Sequence, residues 1–296
     1  MLFQRHASDD RALIAHVRSH RQSMTPYKQM DIARAAASKH GTELLICFGG
    51  NSRTNGFPQM VAHEGYRQKF IATLTSFCRE HGLHGVDYNW EYPNDAAEWS
   101  GLFTLLEETR AAFDASEGRR LTITLAYYPD TRQEALLAQS GEEALNAVDL
   151  MHMMSYDQPQ KHSTWGFGKQ SVDQGIAKLP PSKLTMGLPF YSRDVRTGEW
   201  DTYEDLVKRH APKGGLKPDA DQIGHKYFNG RDMIQRKTEY AKSKKLGGVM
   251  IWEVGQDNFI NDVRALDPST SLMHAISETL GLGIYSADDP GSKDEL

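Results

Sequence analysis

Cysteine is scarce in this chain: Cys47 and Cys78 are the only two in 296 residues. Two cysteines cannot make a disulfide framework, and these lack the spacing of a metal site, so they read as buried thiols. No apolar run approaches the length that spans a bilayer, which argues against a membrane span. The opening stretch, Met1-Leu2-Phe3-Gln4-Arg5-His6, has neither the continuous apolar core nor the small-residue cleavage site of a secretory signal. An excess of positive charge is missing too. Lys plus Arg number 34 against 39 Asp plus Glu, a net charge of −5, and no long basic stretch is present to neutralise a phosphate backbone, so nucleic acid is not an expected partner. With 39% hydrophobic and 25% charged residues, 25 Gly and 12 Pro, the chain is neither collagen-like nor mainly disordered. Its length fits one large α/β barrel as well as two average domains.

From residue 44 the sequence alternates short apolar, β-branched runs with longer amphipathic stretches, the pattern of repeated βα units on a parallel sheet. Strands are predicted at 44–48, 85–91, 121–126, 148–155, 184–190 and 248–252, and helices near 64–81, 96–115, 134–146, 171–179, 230–244 and 269–280. Phe70, Leu74, Phe77 and Cys78 share one helical face, as do Trp99, Leu102, Phe103 and Leu106. The strand spacing of roughly 27 to 40 residues, lengthening to about 64 before the last strand, suits a (β/α)8 TIM barrel with an insertion at 192–228. Residues 1–43 read as helix, about 10–19 and 29–40, rather than strand. The expected α/β domain is therefore a catalytic barrel over 1–285 that lacks its first two strands, followed by a polar tail over 286–296. A true six-strand variant, or an unusual first unit, is the alternative. The chain closes Lys293-Asp294-Glu295-Leu296, the address read by the endoplasmic reticulum retrieval receptor. That implies residence in the endoplasmic reticulum lumen or secretory pathway and a true amino terminus upstream; a chance charged tail is the other reading.

The chemistry concentrates in His84-Gly85-Val86-Asp87-Tyr88-Asn89-Trp90-Glu91-Tyr92-Pro93. Residues of one parity share a strand face, so Asp87, Asn89 and Glu91 form a polar ladder pointing into the barrel while Val86, Tyr88 and Trp90 face outward. Pro93 cannot continue the ladder and leaves Glu91 at the carboxy-terminal mouth, where barrel enzymes carry their sites. A satisfied polar network is the bland reading, but acid and amide groups in register inside an apolar barrel are costly to retain without a task.

This segment resembles the D-G-x-D-x-D-x-E signature on the fourth barrel strand of the family 18 glycoside hydrolases, the chitinase and endo-β-N-acetylglucosaminidase superfamily. Further segments match in order. Ile46-Cys47-Phe48-Gly49-Gly50 resembles the third-strand S-x-G-G, and Met154-Ser155-Tyr156-Asp157 the sixth-strand M-x-Y-D. Met186-Gly187-Leu188-Pro189-Phe190-Tyr191-Ser192-Arg193 resembles the seventh-strand G-L-P-x-Y-x-R, and Gly247-Gly248-Val249-Met250-Ile251-Trp252 the eighth-strand G-G-x-M-x-W.

The resemblance implies retaining hydrolysis of β-1,4-linked N-acetylglucosamine in which the substrate's own 2-acetamido oxygen is the nucleophile, so one protein acid suffices and no metal or cofactor is required. Glu91 would be the general acid and base. Asn89 would hold the acetamido group, with Asp87 beneath it on the ladder. Tyr156 and Asp157 would bond the acetamido group and sugar hydroxyls, and Trp252 would floor the site by stacking on a pyranose. Met154, Tyr191 and Arg193 would complete the cleft, with Arg193 alternatively in a surface ion pair. The expected partner is a polysaccharide, oligosaccharide or glycan containing N-acetylglucosamine, bound by a monomer.

Two positions depart from the signature: His84 replaces its first Asp, at the strand's buried start, and Asn89 replaces the Asp before the acid. An amide can still accept from the acetamido nitrogen and donate to Glu91, but it cannot change charge. Asn89 and the short insertion keep open an endo-β-N-acetylglucosaminidase acting on N-glycan cores. A noncatalytic chitinase-like lectin is the third reading, against which Glu91 argues.

Overall fold

The computed structural model describes residues 2–3, 26–50, 53–211, 215–260 and 265–282. The amino-terminal half runs β1 (Leu2–Phe3), α1 (Pro26–His40), β2 (Leu45–Gly49), α2 (Phe57–Ala62), α3 (Glu64–Glu80), β3 (Gly85–Asn89), α4 (Ala96–Ala115), β4 (Thr122–Tyr127), α5 (Thr131–Ala138) and α6 (Glu142–Ala147). It continues through β5 (Leu150–Met153), α7 (Trp165–Ile176), β6 (Leu184–Pro189), β7 (Tyr191–Asp194), β8 (Trp200–Thr202), α8 (Tyr203–His210), β9 (Gln222–Ile223) and β10 (Lys226–Tyr227). α9 (Arg231–Ser243), β11 (Gly248–Trp252), β12 (Phe259–Ile260), β13 (Ala265–Leu266) and α10 (Leu272–Leu280) follow.

Strands β2, β3, β4, β5, β6 and β11 lie side by side in chain order, all parallel. Each next strand is reached by a helical crossover, giving a parallel sheet curled into a half-barrel with helices, consistent with the (β/α)8 architecture. Sheet residues of one parity face the helices in a large core that includes Val86, Tyr88, Ile123, Leu125, Met186 and Leu188. The other parity faces inward, where Leu45, Ala126, Leu150, Met154, Tyr156, Tyr191 and Met250 make a smaller apolar cluster. Inside and outside thus follow from the period-two pattern of the strands.

The helical reading of residues 1–43 is corrected at its start. Leu2 and Phe3 form a short strand antiparallel to β11, with Leu2 opposite Ile251 and Phe3 opposite Met250. The helix expected at 29–40 is present as α1, whereas 10–19 and the tail 286–296 lie outside the described residues. The single helix expected at 134–146 is two, because Gly141 adopts φ 93 at the break, a conformation a helix interior excludes. α7 begins earlier than the expected 171, where Thr164 caps it by accepting from the backbone N–H of Phe167. The insertion at 192–228, read as polar and charged, builds a four-stranded antiparallel sheet, β8-β7-β10-β9, with α8 beside it. His84, at the start of β3, accepts from the backbone N–H of Leu44 at 3.1 Å and lies 2.7 Å from Arg119. Burial and the Arg119 charge push its pKa down.

Candidate active site

A cleft of about 420 Å³ opens at the carboxy-terminal ends of the parallel strands. Asn89, Glu91, Met154, Tyr156, Asp157, Tyr191, Arg193 and Trp252 all line it. The structure therefore gathers eight of the nine residues singled out from the sequence. Asp87 is the exception: it lies deeper, under the cleft, and supports the site rather than facing it.

β3 ends at Asn89, two residues short of the expected end, because its parallel partners stop there: Gly49 on β2 pairs opposite Asn89, and β4 pairs only as far as Tyr88. Beyond that point the Asn89 carbonyl accepts from the Gly50 N–H at 2.7 Å, and Glu91 stands on the bend at the mouth. The Gly49-Gly50 pair is dictated by this approach. A Cβ at Gly49 would sit 2.2 Å from the Asn89 carbonyl oxygen, and one at Gly50 would sit 2.7 Å from Asn89 Nδ2 and 3.6 Å from Glu91 Oε1. Both glycines also have positive φ, 98 and 70.

Below them, Asp87 Oδ1 accepts from Thr124 Oγ1 at 2.6 Å, and the Cys47 thiol bonds to the same carboxyl. His152 Nε2 is 3.7 Å away, and its Nδ1 is 3.0 Å from Thr185 Oγ1. Side chains from β2, β4, β5 and β6 thus bear on the ladder from one layer. Burial pushes Asp87 up and His152 down, so the layer favours neutral forms.

A second wall is a loop. Tyr156 and Asp157 leave the end of β5, and Asp157 has φ 66, a backbone conformation for which Asp and Asn are the usual non-glycine choices. Tyr191 Oη donates to Asp157 Oδ1 at 2.8 Å, Arg193 Nε makes a 2.6 Å ion pair with it, and His162 Nδ1 lies at 3.7 Å. Burial pushes the Asp157 carboxyl up, but the bonds from His162 and Tyr191 and the Arg193 charge outweigh it and hold the carboxyl below its ordinary value. Arg193 is thus both a cleft residue and an ion-pair partner. Burial, then the Asp157 and Glu91 charges, pushes the Tyr156 phenol well up, so Tyr156 stays a donor. It donates to Met250 Sδ at 3.5 Å.

Tyr92, Tyr128, Trp200 and Gln256 also line the cleft and were not singled out from the sequence. Tyr92 follows Glu91 directly, a position that could have flagged it. Trp200, 53% exposed on β8, lies in an insertion that also carries Tyr203, Tyr227 and Phe228, and no sequence pattern singles it out. Among the described residues no cluster of His, Cys, Asp and Glu could hold a metal, and no helix is long and apolar enough to cross a membrane.

The family profile described as "Glycosyl hydrolases family 18" matches residues 6–257. Chitinase 1 of Aphanocladium album is 23% identical over 274 residues, covering 74% of this chain and 64% of the relative. The chain thus spans just under two thirds of that relative's length. Among solved structures, a chitinase from Bacteroides thetaiotaomicron superposes with a TM-score of 0.72 at 23% identity, over 88% of this chain and 84% of that one. A family 18 chitinase from the chitin utilization locus of Flavobacterium johnsoniae superposes with a TM-score of 0.68 at 26% identity, over 85% and 79%.

Proposed function

The chain belongs to the glycosyl hydrolases family 18, and on that premise we propose that it cleaves β-1,4-linked N-acetylglucosamine, in chitin or chitooligosaccharides, with retention and substrate assistance. The observation that supports this reading is one cleft lined by Glu91, Asn89, Tyr156, Asp157 and Trp252 together.

Glu91 protonates the departing glycosidic oxygen while the acetamido carbonyl oxygen attacks the anomeric carbon; water activated by the resulting carboxylate then opens the oxazolinium ion. Asn89 supports this arrangement physically. Its Oδ1 is buried with no hydrogen-bond partner among the described residues, an acceptor suited to the acetamido N–H. Tyr156 gives up only a weak thioether acceptor when it turns to the acetamido oxygen. The Asp157 carboxylate, held ionised, takes sugar hydroxyls, and the indole of Trp252 takes the apolar face of the ring.

Asn89 favours one second reading, an endo-β-N-acetylglucosaminidase acting on glycan chitobiose cores, which needs the same acid and the same acetamido nucleophile. Both readings require Glu91; a lectin does not. Glu91→Gln is expected to lower turnover of a fluorogenic chitobioside by at least ~10²-fold, and near-wild-type turnover in that variant ends the assignment.

A further inference from the structure

Behind the Asp157 wall lies an ammonium group that no step above uses. α9 buries Ile234, Lys237, Thr238 and Ala241, so Lys237 occupies an apolar-stripe position at helical spacing. It is fully buried. Its Nζ donates to three oxygens: the Ser163 carbonyl at 2.9 Å, Ser163 Oγ at 2.7 Å and Asn229 Oδ1 at 2.8 Å. None of these acceptors is a carboxylate; Asp221 is the anion whose field reaches the group, and burial lowers its pKa to about 7. α7 makes room for the stem at Gly168, where a Cβ would lie 2.5 Å from Met186 Cε and 3.2 Å from Lys237 Cε.

The acceptors bind the two ends of one loop. Ser163 Oγ donates to the Ser155 carbonyl at 3.1 Å, and Asn229 Nδ2 donates to the Ser163 carbonyl at 2.8 Å. Between those ends run Tyr156, Asp157 and His162, and His162 packs against the Tyr191 ring at 4.9 Å while facing Asp157. An apolar side chain would fill the same space without the cost of burying an amine. What it could not do is supply three donors to one loop closure.

Resting on the hydrolase reading above, we infer that Lys237 is a positioning residue, a buried clamp that closes the loop from Ser155 to Ser163 and so holds Tyr156 and Asp157 in place for the sugar. It never touches substrate. Loss of the clamp, unlike a general loss of fold stability, moves the Tyr156 and Asp157 wall and not Glu91.

The test is Lys237→Met, which keeps the stem and removes the donors, with Ser163→Ala as a second variant that removes the hydroxyl linking Lys237 Nζ to the Ser155 carbonyl and keeps the amine buried. Steady-state kinetics on a fluorogenic chitobioside are expected to show KM raised roughly tenfold in Lys237→Met and less in Ser163→Ala, with kcat falling by less than KM rises because Tyr156 also orients the acetamido oxygen. Amide hydrogen exchange over 155–164, read without substrate, is expected to accelerate in both variants while β3 exchanges as in wild type. Unchanged exchange over that loop, or equal losses in kcat and kcat/KM, overturns the clamp. If wild type does not turn over the chitobioside, the hydrolase reading fails, and the exchange experiment still decides whether Lys237 closes the loop. Should Lys237→Met not fold, the Ser163→Ala exchange and KM carry the decision on the same criteria.

Discussion

The two walls of the cleft are built by different means. Asn89 and Glu91 are placed by backbone: a parallel ladder, the Gly50 N–H on the Asn89 carbonyl, and two glycines that let one chain lie on the next. Tyr156 and Asp157 are placed by side chains, with Tyr191, Arg193 and His162 around the carboxylate and Lys237 behind the loop. The wall proposed to perform proton transfer is thereby held by main-chain contacts, which only a side chain forced between the two strands would disturb. The wall proposed to grip the sugar hangs on a few polar contacts that can be retuned one at a time.

The largest expected effect breaks the backbone-built wall. Gly49→Ala puts a Cβ 2.2 Å from the Asn89 carbonyl oxygen at φ 98, so the backbone must shift by more than the site tolerates. We expect a loss of ~1–3 kcal/mol in urea unfolding, together with a fall in kcat larger than any change in KM. A KM effect alone would mean that the strand position is not set by this contact.

A smaller effect tests what Asn89 does to its neighbour. A carboxylate at 89 would disfavour ionisation of Glu91, since like charges at short range raise a pKa. Asn89→Asp should therefore move the alkaline limb of kcat/KM, which reports the group that must stay protonated, to higher pH. If the new carboxyl shares a proton with Asp87, already pushed up by burial, the limb broadens as a coupled titration. Superimposable limbs would reduce Asn89 to orienting the acetamido group.

The smallest effect is a control outside both walls. Glu134 on α5 is buried with neither carboxyl oxygen hydrogen-bonded among the described residues, and burial raises its pKa from 4.5 to about 7. A raised acid contributes stability below its unfolded pKa and loses it as pH rises through the folded one. Glu134→Gln should match wild type in melting temperature at pH 4.5, exceed it by a few degrees above pH 7, and leave KM and kcat unchanged at every pH. A kinetic effect would show that the walls are not the separate units described here.

The same contrast explains what the sequence made legible. Asp87, Asn89 and the outward Val86 and Tyr88 follow from strand parity alone, and all six parallel strands lie within a few residues of their predicted places. Side-chain-built features have no such period. His162 reads as a loop histidine, and Lys237 as a surface lysine unless its place between Ile234, Thr238 and Ala241 is noticed. The strands of the insertion run two to four residues, too short for alternation to show, so Trp200 could not be brought to the cleft from sequence. The split at Gly141 and the early start of α7 at Thr164 had local signals, a glycine and a capping threonine, that the apolar periodicity overrode.

In the proposed mechanism one protein acid works with the substrate's own acetamido group. Proton NMR of the first products from a chitooligosaccharide, recorded before mutarotation, tests it most directly. The new reducing end is expected to appear as the β-anomer; initial release of the α-anomer would mean inversion and rule out substrate assistance with retention.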